Sequence, residues 1–141
     1  MKAFPVQEVI DLVPVVPQSE ATRLMRESDA LMLFHDPRFE RYLPGKLYEY
    51  IASGTSIVLL DDQGESAQLI DELGLGWSVR CADERRLESV LDQVLARHDS
   101  HAESARAHSD SVSAWLDAHT RRQLVERFIA LLEGESVTHR S

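Results

Sequence analysis

The sequence predicts an α/β fold in which parallel strands alternate with helices along most of the chain. Two apolar runs, residues 30–34 and 56–60, are short and uninterrupted, which is typical of strands covered on both faces. Between them, a Pro-Gly start and a terminal glycine indicate a helix over residues 46–53. Beyond about residue 83, apolar residues recur only at helical spacing. Because alternating strands and helices form parallel sheets through right-handed crossovers, we expect a parallel sheet with flanking helices and a helical C-terminus.

The first predicted elements are a strand, a helix and a second strand. Residues 9–13 form a short strand candidate. Ser19 is the expected N-cap of the helix that follows. The apolar run at 30–34 is then expected to form a buried strand, and residues 35–43 a polar loop.

A helix, a strand, a helix and a strand are predicted next. The helix at 46–53 leads into the strand at 56–60. Residues 65–72 are expected to be helical, and Gly74 ends that helix. Residues 77–80 then form a short edge strand.

The rest of the chain is predicted to be helical. One helix covers about residues 83–97, and a segment rich in small residues and histidine at 98–111 forms a weaker helix. Thr120 is expected to cap a last helix that ends at Leu132, and residues 134–141 to form a disordered tail. The last helix has an apolar stripe of Leu124, Phe128, Leu131 and Leu132, which we expect to pack on its own domain.

The composition predicts one acidic cytoplasmic domain over residues 1–133. Hydrophobic residues make up 43% of the chain, and no apolar run approaches the ~20 residues of a membrane span. The net charge of −9 disfavours nonspecific binding to nucleic acid or to an anionic membrane, since both rely on basic patches. Cys81 is the sole cysteine, which excludes an internal disulfide and fits a reducing compartment. The N-terminus does not have the pattern of a secretory signal.

The helix that begins at Pro44-Gly45 is the strongest candidate for a binding site. The first backbone N–H groups of a helix have no partner within the helix, and the macrodipole adds partial positive charge there, so helix starts bind anions. Lys46 and Glu49 lie on one face of this helix. A phosphate held by Gly45, Lys46 and Leu47 would lie within one turn of a cation and a carboxylate.

Other polar residues follow the predicted strands, where ligands bind in open parallel sheets. His35 follows the strand at 30–34 and is a candidate binding residue, although a loop histidine is the simpler interpretation. Asp61, Asp62 and Glu65 are common turn and helix-start residues, and we predict no metal site there. The remaining histidines are expected at the surface, and the sequence contains no P-loop, GxGxxG or CxxC motif.

Residues 49–58, Glu-Tyr-Ile-Ala-Ser-Gly-Thr-Ser-Ile-Val, fit the pattern Glu-x-x-Ala-x-Gly followed by an apolar strand. In this they resemble the donor-binding helix of nucleotide-sugar glycosyltransferases of the GT-B fold, in the retaining group 1 family. Upstream, residues 13–20 and 28–34 are similar to the family's Val-Pro, helix and Ala-Asp strand series. Downstream, residues 61–77 are similar to its Gly, Glu, Ile and Gly-Gly region. The resemblance covers roughly residues 9–132.

The resemblance implies a Rossmann-like, partial C-terminal domain that binds a UDP-, GDP- or ADP-linked sugar without a metal ion or other cofactor. It assigns the ribose hydroxyls to Glu49, and the donor diphosphate to the backbone of Gly45, Lys46 and Leu47. The family's Gly-Arg and Lys-Gly region and its acceptor domain would precede Met1, as a joined domain or a partner subunit. The chain also departs from the pattern, since Arg41 stands where the family usually has a further Glu.

Three functions remain open. The first is the donor-binding part of a hexosyltransferase-type enzyme, which we expect to be inactive alone. The second is a non-catalytic module of the same fold that binds a nucleotide or a protein. The third is an unrelated flavodoxin-like domain such as a signalling receiver, for which Asp61 is a poor match to the phospho-acceptor.

Overall fold

The computed structural model describes residues 10–34, 43–99 and 110–132. Within these ranges it contains three strands and six helices. In chain order they are α1 (Gln18–Glu27), β1 (Leu31–Phe34), α2 (Gly45–Ser53), β2 (Ile57–Leu60), α3 (Gly64–Leu73), β3 (Gly76–Ser78), α4 (Glu84–Asp99), α5 (Asp110–Ala118) and α6 (Arg121–Leu132).

The three strands form one parallel sheet in the order β1-β2-β3. Leu31 pairs with Ile57, and Ile57 pairs in turn with Gly76. Helices α2 and α3 form the two crossovers between successive strands. The predicted α/β class, with a Rossmann-like parallel sheet, flanking helices and a helical C-terminus, is confirmed.

The larger core lies between the sheet and the helices α2 and α3. Its centre is fully buried, because β2 presents Ile57 and Leu59 to this face and α2 presents Leu47 and Ile51. At roughly 25 cal/mol per Å² of apolar surface, each such side chain contributes on the order of 2 kcal/mol to burial. The same core also contains Leu33, Ala67, Ile70 and Val112.

The opposite face of the sheet is covered by α4 through a smaller core. Val58 of β2, Val79 after β3 and Val90 of α4 are buried together there. Strand β2 is therefore covered on both faces, as the sequence predicts.

Strand β1 is covered on one face only, so the prediction of two-sided burial is wrong for it. Leu31 and Leu33 are buried, whereas Met32 is 41% and Phe34 69% exposed. Helix α4 does not extend its cover to these two side chains. At the outer edge, the Tyr50 hydroxyl lies 3.5 Å from the Met32 carbonyl oxygen.

Several predicted boundaries shift. Residues 10–13 form no strand, because no neighbouring strand pairs with them, while Val9 lies outside the described residues. Helix α1 begins after Pro17 rather than after Ser19, since the Ala21 N–H donates to the Pro17 carbonyl oxygen. The last strand is Gly76–Ser78, earlier than the predicted range.

Of the predictions for the C-terminal region, the helix cap is confirmed and the packing of the last helix is wrong. Thr120 caps α6 as expected, with its hydroxyl oxygen 3.2 Å from the Gln123 nitrogen. The expectation that the apolar stripe of the last helix packs on its own domain is wrong for Leu124, Phe128 and Leu132, which are exposed, while the side chain of Leu131 lies outside the described residues. Most of the predicted weak helix and the tail at 134–141 lie outside the described residues. Within the described ranges, no helix combines the length and apolarity needed to cross a membrane.

Gly76 provides a test of the parallel pairing of β2 and β3. A Cβ at this position would lie 1.9 Å from the Ile57 carbonyl oxygen, and the backbone φ of +153° disfavours side chains. We expect Gly76→Ala to lower the free energy of unfolding in urea by about 3 kcal/mol or more. Gly45→Ala is the matched control, since a Cβ at Gly45 would meet nothing within 4 Å. Equal stability of the two variants would contradict the observed register.

Candidate functional site

The carboxyl edge of the sheet brings three helix starts together. Helices α2, α3 and α4 each follow a strand of the parallel sheet, so all three begin at the edge where those strands end. Polar groups that follow the strands therefore lie along this edge, which is where parallel sheets bind ligands. The predicted site at Gly45 lies at this edge.

Two backbone N–H groups at the start of α2 have no hydrogen-bond acceptor among the described residues. Pro44 is the N-cap and provides no side-chain cap. The Leu47 N–H donates to the Pro44 carbonyl oxygen at 2.9 Å, which leaves the N–H groups of Gly45 and Lys46 as the donors of the first turn without an acceptor among the described residues. The space beside Gly45 is open, so an anion can approach its backbone closely.

Leu47 has a structural role in the position of this helix start. Its side chain is fully buried in the core, and its N–H is already bonded. It therefore anchors the helix on the sheet and fixes the direction in which the Gly45 and Lys46 N–H groups point. The diphosphate contact by the Leu47 backbone stays a prediction.

Lys46 and Glu49 form an ion pair on the outer face of α2. The Lys46 Nζ lies 2.8 Å from Glu49 Oε2, and both side chains are about half exposed. The hydrogen bond that Lys46 donates to Glu49 raises the pKa of Lys46, while slight burial opposes that rise. The ammonium also lies 5.9 Å from the centroid of the Tyr50 ring. Exposed ion pairs of this kind are weak, so a ligand can separate the two groups at little cost.

An aromatic stack lies beside this helix, and sequence analysis missed it. The Tyr48 and Trp115 ring centroids are 5.3 Å apart, and Trp115 stacks on His119 at 4.2 Å. His119, which was expected at the surface, is half-buried and its Nδ1 lies 2.8 Å from the Trp115 carbonyl oxygen. The spacing of Trp115 and His119 by one helical turn was the available signal, but nothing in the sequence linked them to Tyr48.

The acidic residues after β2 are engaged in local contacts. Asp61 Oδ1 accepts a hydrogen bond from the Gln63 N–H at 3.2 Å, which forms a tight turn. Asp62 Oδ2 accepts from Arg80 at 2.9 Å and raises the pKa of that guanidinium. Across the described ranges, no group of three His, Cys, Asp or Glu residues has the arrangement of a metal site.

A polar cavity of about 550 Å³ lies at the other end of the same edge, where β3 ends and α4 begins. Arg80 and Arg86 line it, and the hydroxyl oxygen of Ser78 is buried there without a hydrogen-bond partner. Asp83 also lines the cavity and caps α4 through the Arg86 N–H at 3.0 Å. Sequence analysis predicted the strand end but not the cavity, which depends on the loop between β3 and α4.

His35 and Arg41 lie outside the described residues. The structure thus brings together Gly45, Lys46, Leu47 and Glu49 of the predicted site on one helix. The role of each toward a ligand stays a prediction, and so does that of His35.

Comparison of the chain with protein-family models, with curated proteins and with solved structures finds no match. The geometry alone defines the class: an α/β domain with a Rossmann-like parallel sheet and a polar crevice at its carboxyl edge.

The ion pair predicts a measurable pKa change. We expect Glu49→Gln to return the pKa of Lys46 toward its ordinary value of 10.5, because the acceptor that raises it loses its charge. Because the pKa is raised in the folded chain, the stabilisation from the pair is complete below 10.5 and is lost as the pH rises through the raised value. NMR titration of the lysine side chain measures the change. Glu65→Gln is the control, and an equal fall in both variants would contradict the assignment.

Proposed function

We propose that this domain binds the nucleotide part of a nucleotide-diphosphate sugar at the start of α2, as the donor-binding part of a glycosyltransferase. The observation that supports this most directly is the pair of N–H groups at Gly45 and Lys46, which have no acceptor among the described residues and lie beside open space. These donors lie at the carboxyl edge of a parallel sheet, where a phosphate is favoured by both the helix dipole and the fold.

Each residue has a distinct part in the proposed complex. The backbone at Gly45 and Lys46 contacts the diphosphate, and the Lys46 ammonium adds a positive charge within the same turn. Glu49, one turn further along, accepts the two ribose hydroxyls with its carboxylate oxygens. For this to happen Glu49 Oε2 must release Lys46, which then turns to the phosphate. Binding therefore replaces the ion pair between Lys46 and Glu49 with an ion pair between the Lys46 ammonium and the phosphate.

In the proposed reaction, a sugar moves from the nucleotide to an acceptor, and the diphosphate leaves with additional negative charge. Fixed donors such as the Gly45 and Lys46 N–H groups stabilise that charge without reorganisation, and electrostatic stabilisation of this type commonly contributes several kcal/mol. The proposal requires neither a metal ion nor another cofactor.

A second candidate function is a non-catalytic module that binds a nucleotide or a protein partner. The Lys46–Glu49 pair favours it, since the two charged groups of the predicted site already satisfy each other at 2.8 Å. The titration below tests whether a nucleotide engages Glu49, and so separates nucleotide binding at this site from a module that binds only a protein partner.

Isothermal titration of the full chain with UDP, GDP and ADP tests the proposal. We expect one nucleotide to bind in the micromolar to low-millimolar range. Glu49→Ala should weaken it about tenfold, or about 1.4 kcal/mol, because the ribose loses its acceptor. Gly45→Ala should also weaken binding, since its methyl group would occupy the open space beside the donors while leaving the fold intact.

Glu65→Ala is the matched control, because Glu65 is an exposed acidic residue in the first turn of α3. It should bind as the unmodified chain does. No heat from any nucleotide in a folded sample, or unchanged affinity of Glu49→Ala, would overturn the proposed site.

A further inference from the structure

The segment that joins β3 to α4 forms a second polar site. The chain turns sharply there, because the Asp83 N–H donates to the Arg80 carbonyl oxygen at 2.8 Å. Helix α4 begins at the next residue, and Asp83 caps it through the Arg86 N–H at 3.0 Å. This turn places Arg80 and Arg86 on one cavity of about 550 Å³, which we call the β3–α4 cavity.

The β3–α4 cavity has the size of a small-molecule site. Its volume lies within the roughly 300–1,000 Å³ that such sites occupy, and a single inorganic ion would leave most of it unfilled. Val79 is 1% exposed and forms a firm apolar wall, because its N–H is bonded to the Leu59 carbonyl oxygen at 2.9 Å. Ala82 adds a second apolar surface, and the other lining residues are polar. The cavity therefore suits an organic molecule with a polar group.

The charges that line the cavity are equal in number but differ in their hydrogen bonding. Asp62 Oδ2 accepts from Arg80 at 2.9 and 3.1 Å, so these two side chains form a pair. The Asp83 carboxylate lies at the start of α4, where the helix dipole and the Arg86 N–H stabilise its negative charge. The Arg86 guanidinium, by contrast, forms no hydrogen bond or ion pair with any described residue. It is thus the charged group that a ligand can bind.

The hydroxyl of Ser78 is a second group in the lining that lacks a partner. Its oxygen is buried at the cavity and forms no hydrogen bond within the described part of the chain. Burial of a hydroxyl without a partner is unfavourable, so a ligand that bonds to it removes an existing cost. The Ser78 hydroxyl and the Arg86 guanidinium can both donate, and donors bond more strongly to an ionised oxygen than to a neutral one. An anion therefore fits these two groups better than a neutral polyol.

We propose that the β3–α4 cavity binds a small organic anion through its carboxylate or phosphate group. The Arg86 guanidinium donates to two oxygens of that group, and the Ser78 hydroxyl donates to one of them. The rest of the molecule lies against Val79 and Ala82. Helix α4 packs on the opposite face of the sheet from α2, so this inference does not rest on the proposed nucleotide site.

NMR titration of the full chain with glycerol 3-phosphate, glycerate and glycerol tests the proposal. The three probes share a three-carbon frame and differ in the group that would bind Arg86. We expect at least one of the two anions to shift the amide signals of residues 78–86 at millimolar concentration. Glycerol should bind at least about tenfold more weakly, because it offers no ionised oxygen. The tighter of the two anions identifies the group that the cavity prefers.

Arg86→Gln should weaken anion binding at least about tenfold, because the ligand loses a charged hydrogen-bond donor. Arg85→Gln is the matched control, since Arg85 is an exposed neighbour on α4 that loses the same charge and does not line the cavity. It should bind as the unmodified chain does. Circular dichroism should show both variants folded.

Ser78→Ala separates a binding role from a structural one. It should weaken anion binding, whereas the free energy of unfolding without ligand should stay the same or rise, because the variant removes a buried hydroxyl that has no partner. A structural role for this hydroxyl would instead lower the free energy of unfolding.

Four results would overturn the proposal. One is the absence of binding by either anion in a folded sample. Another is glycerol binding as tightly as the anions. The third is an equal loss for Arg86→Gln and Arg85→Gln. The fourth is a set of shifts confined to residues 45–49, which would assign the anion to the start of α2.

Discussion

The two-sided burial of β2 is the constraint on which the rest of the structure depends. Ile57, Val58 and Leu59 are at most 1% exposed, with alternate side chains directed to the α2–α3 core and to the α4 core. A strand with no polar side chain on either face must be central, so β1 and β3 take the two positions beside it. The helices that connect these strands are then held against the sheet.

This constraint also fixes where chemistry can occur. Parallel strands end at one edge, so α2 and α4 both begin at this edge, on opposite faces of the sheet. Leu47 links the core to the candidate site, because burial of its side chain holds the first turn of α2 in place while its N–H donates to the Pro44 carbonyl oxygen. The donors at Gly45 and Lys46 are thus positioned by the core. Such rigid support is what an anion site requires.

The surfaces that β2 does not organise are less completely covered. Met32 and Phe34 of β1 are exposed because α4 packs over β2 and β3, and α6 presents its apolar stripe away from the sheet. A buried hydrogen bond ties α1 to the turn before β2. In it, the Thr55 hydroxyl donates to the Met25 carbonyl oxygen at 2.7 Å. Apolar side chains are therefore well buried around α2 and β2, whereas several stay exposed on β1 and α6.

The sequence by itself determined the class of fold, the order of the elements from α1 to α4 and the helix at Gly45, because hydrophobic periodicity and Pro-Gly punctuation are local signals. It also determined that Lys46 and Glu49 share a face, since helical spacing fixes that relation. Only the tertiary structure decided that these two groups bond to each other, that Trp115 and His119 stack beside Tyr48, and that β3 and α4 enclose a cavity. It also decided which apolar residues stay exposed: Phe34 and Phe128 look like core residues in sequence, yet both are exposed in the fold. The physical reason is that burial and side-chain pairing depend on contacts between segments far apart in the chain, whereas a local pattern specifies only which face of each element is apolar.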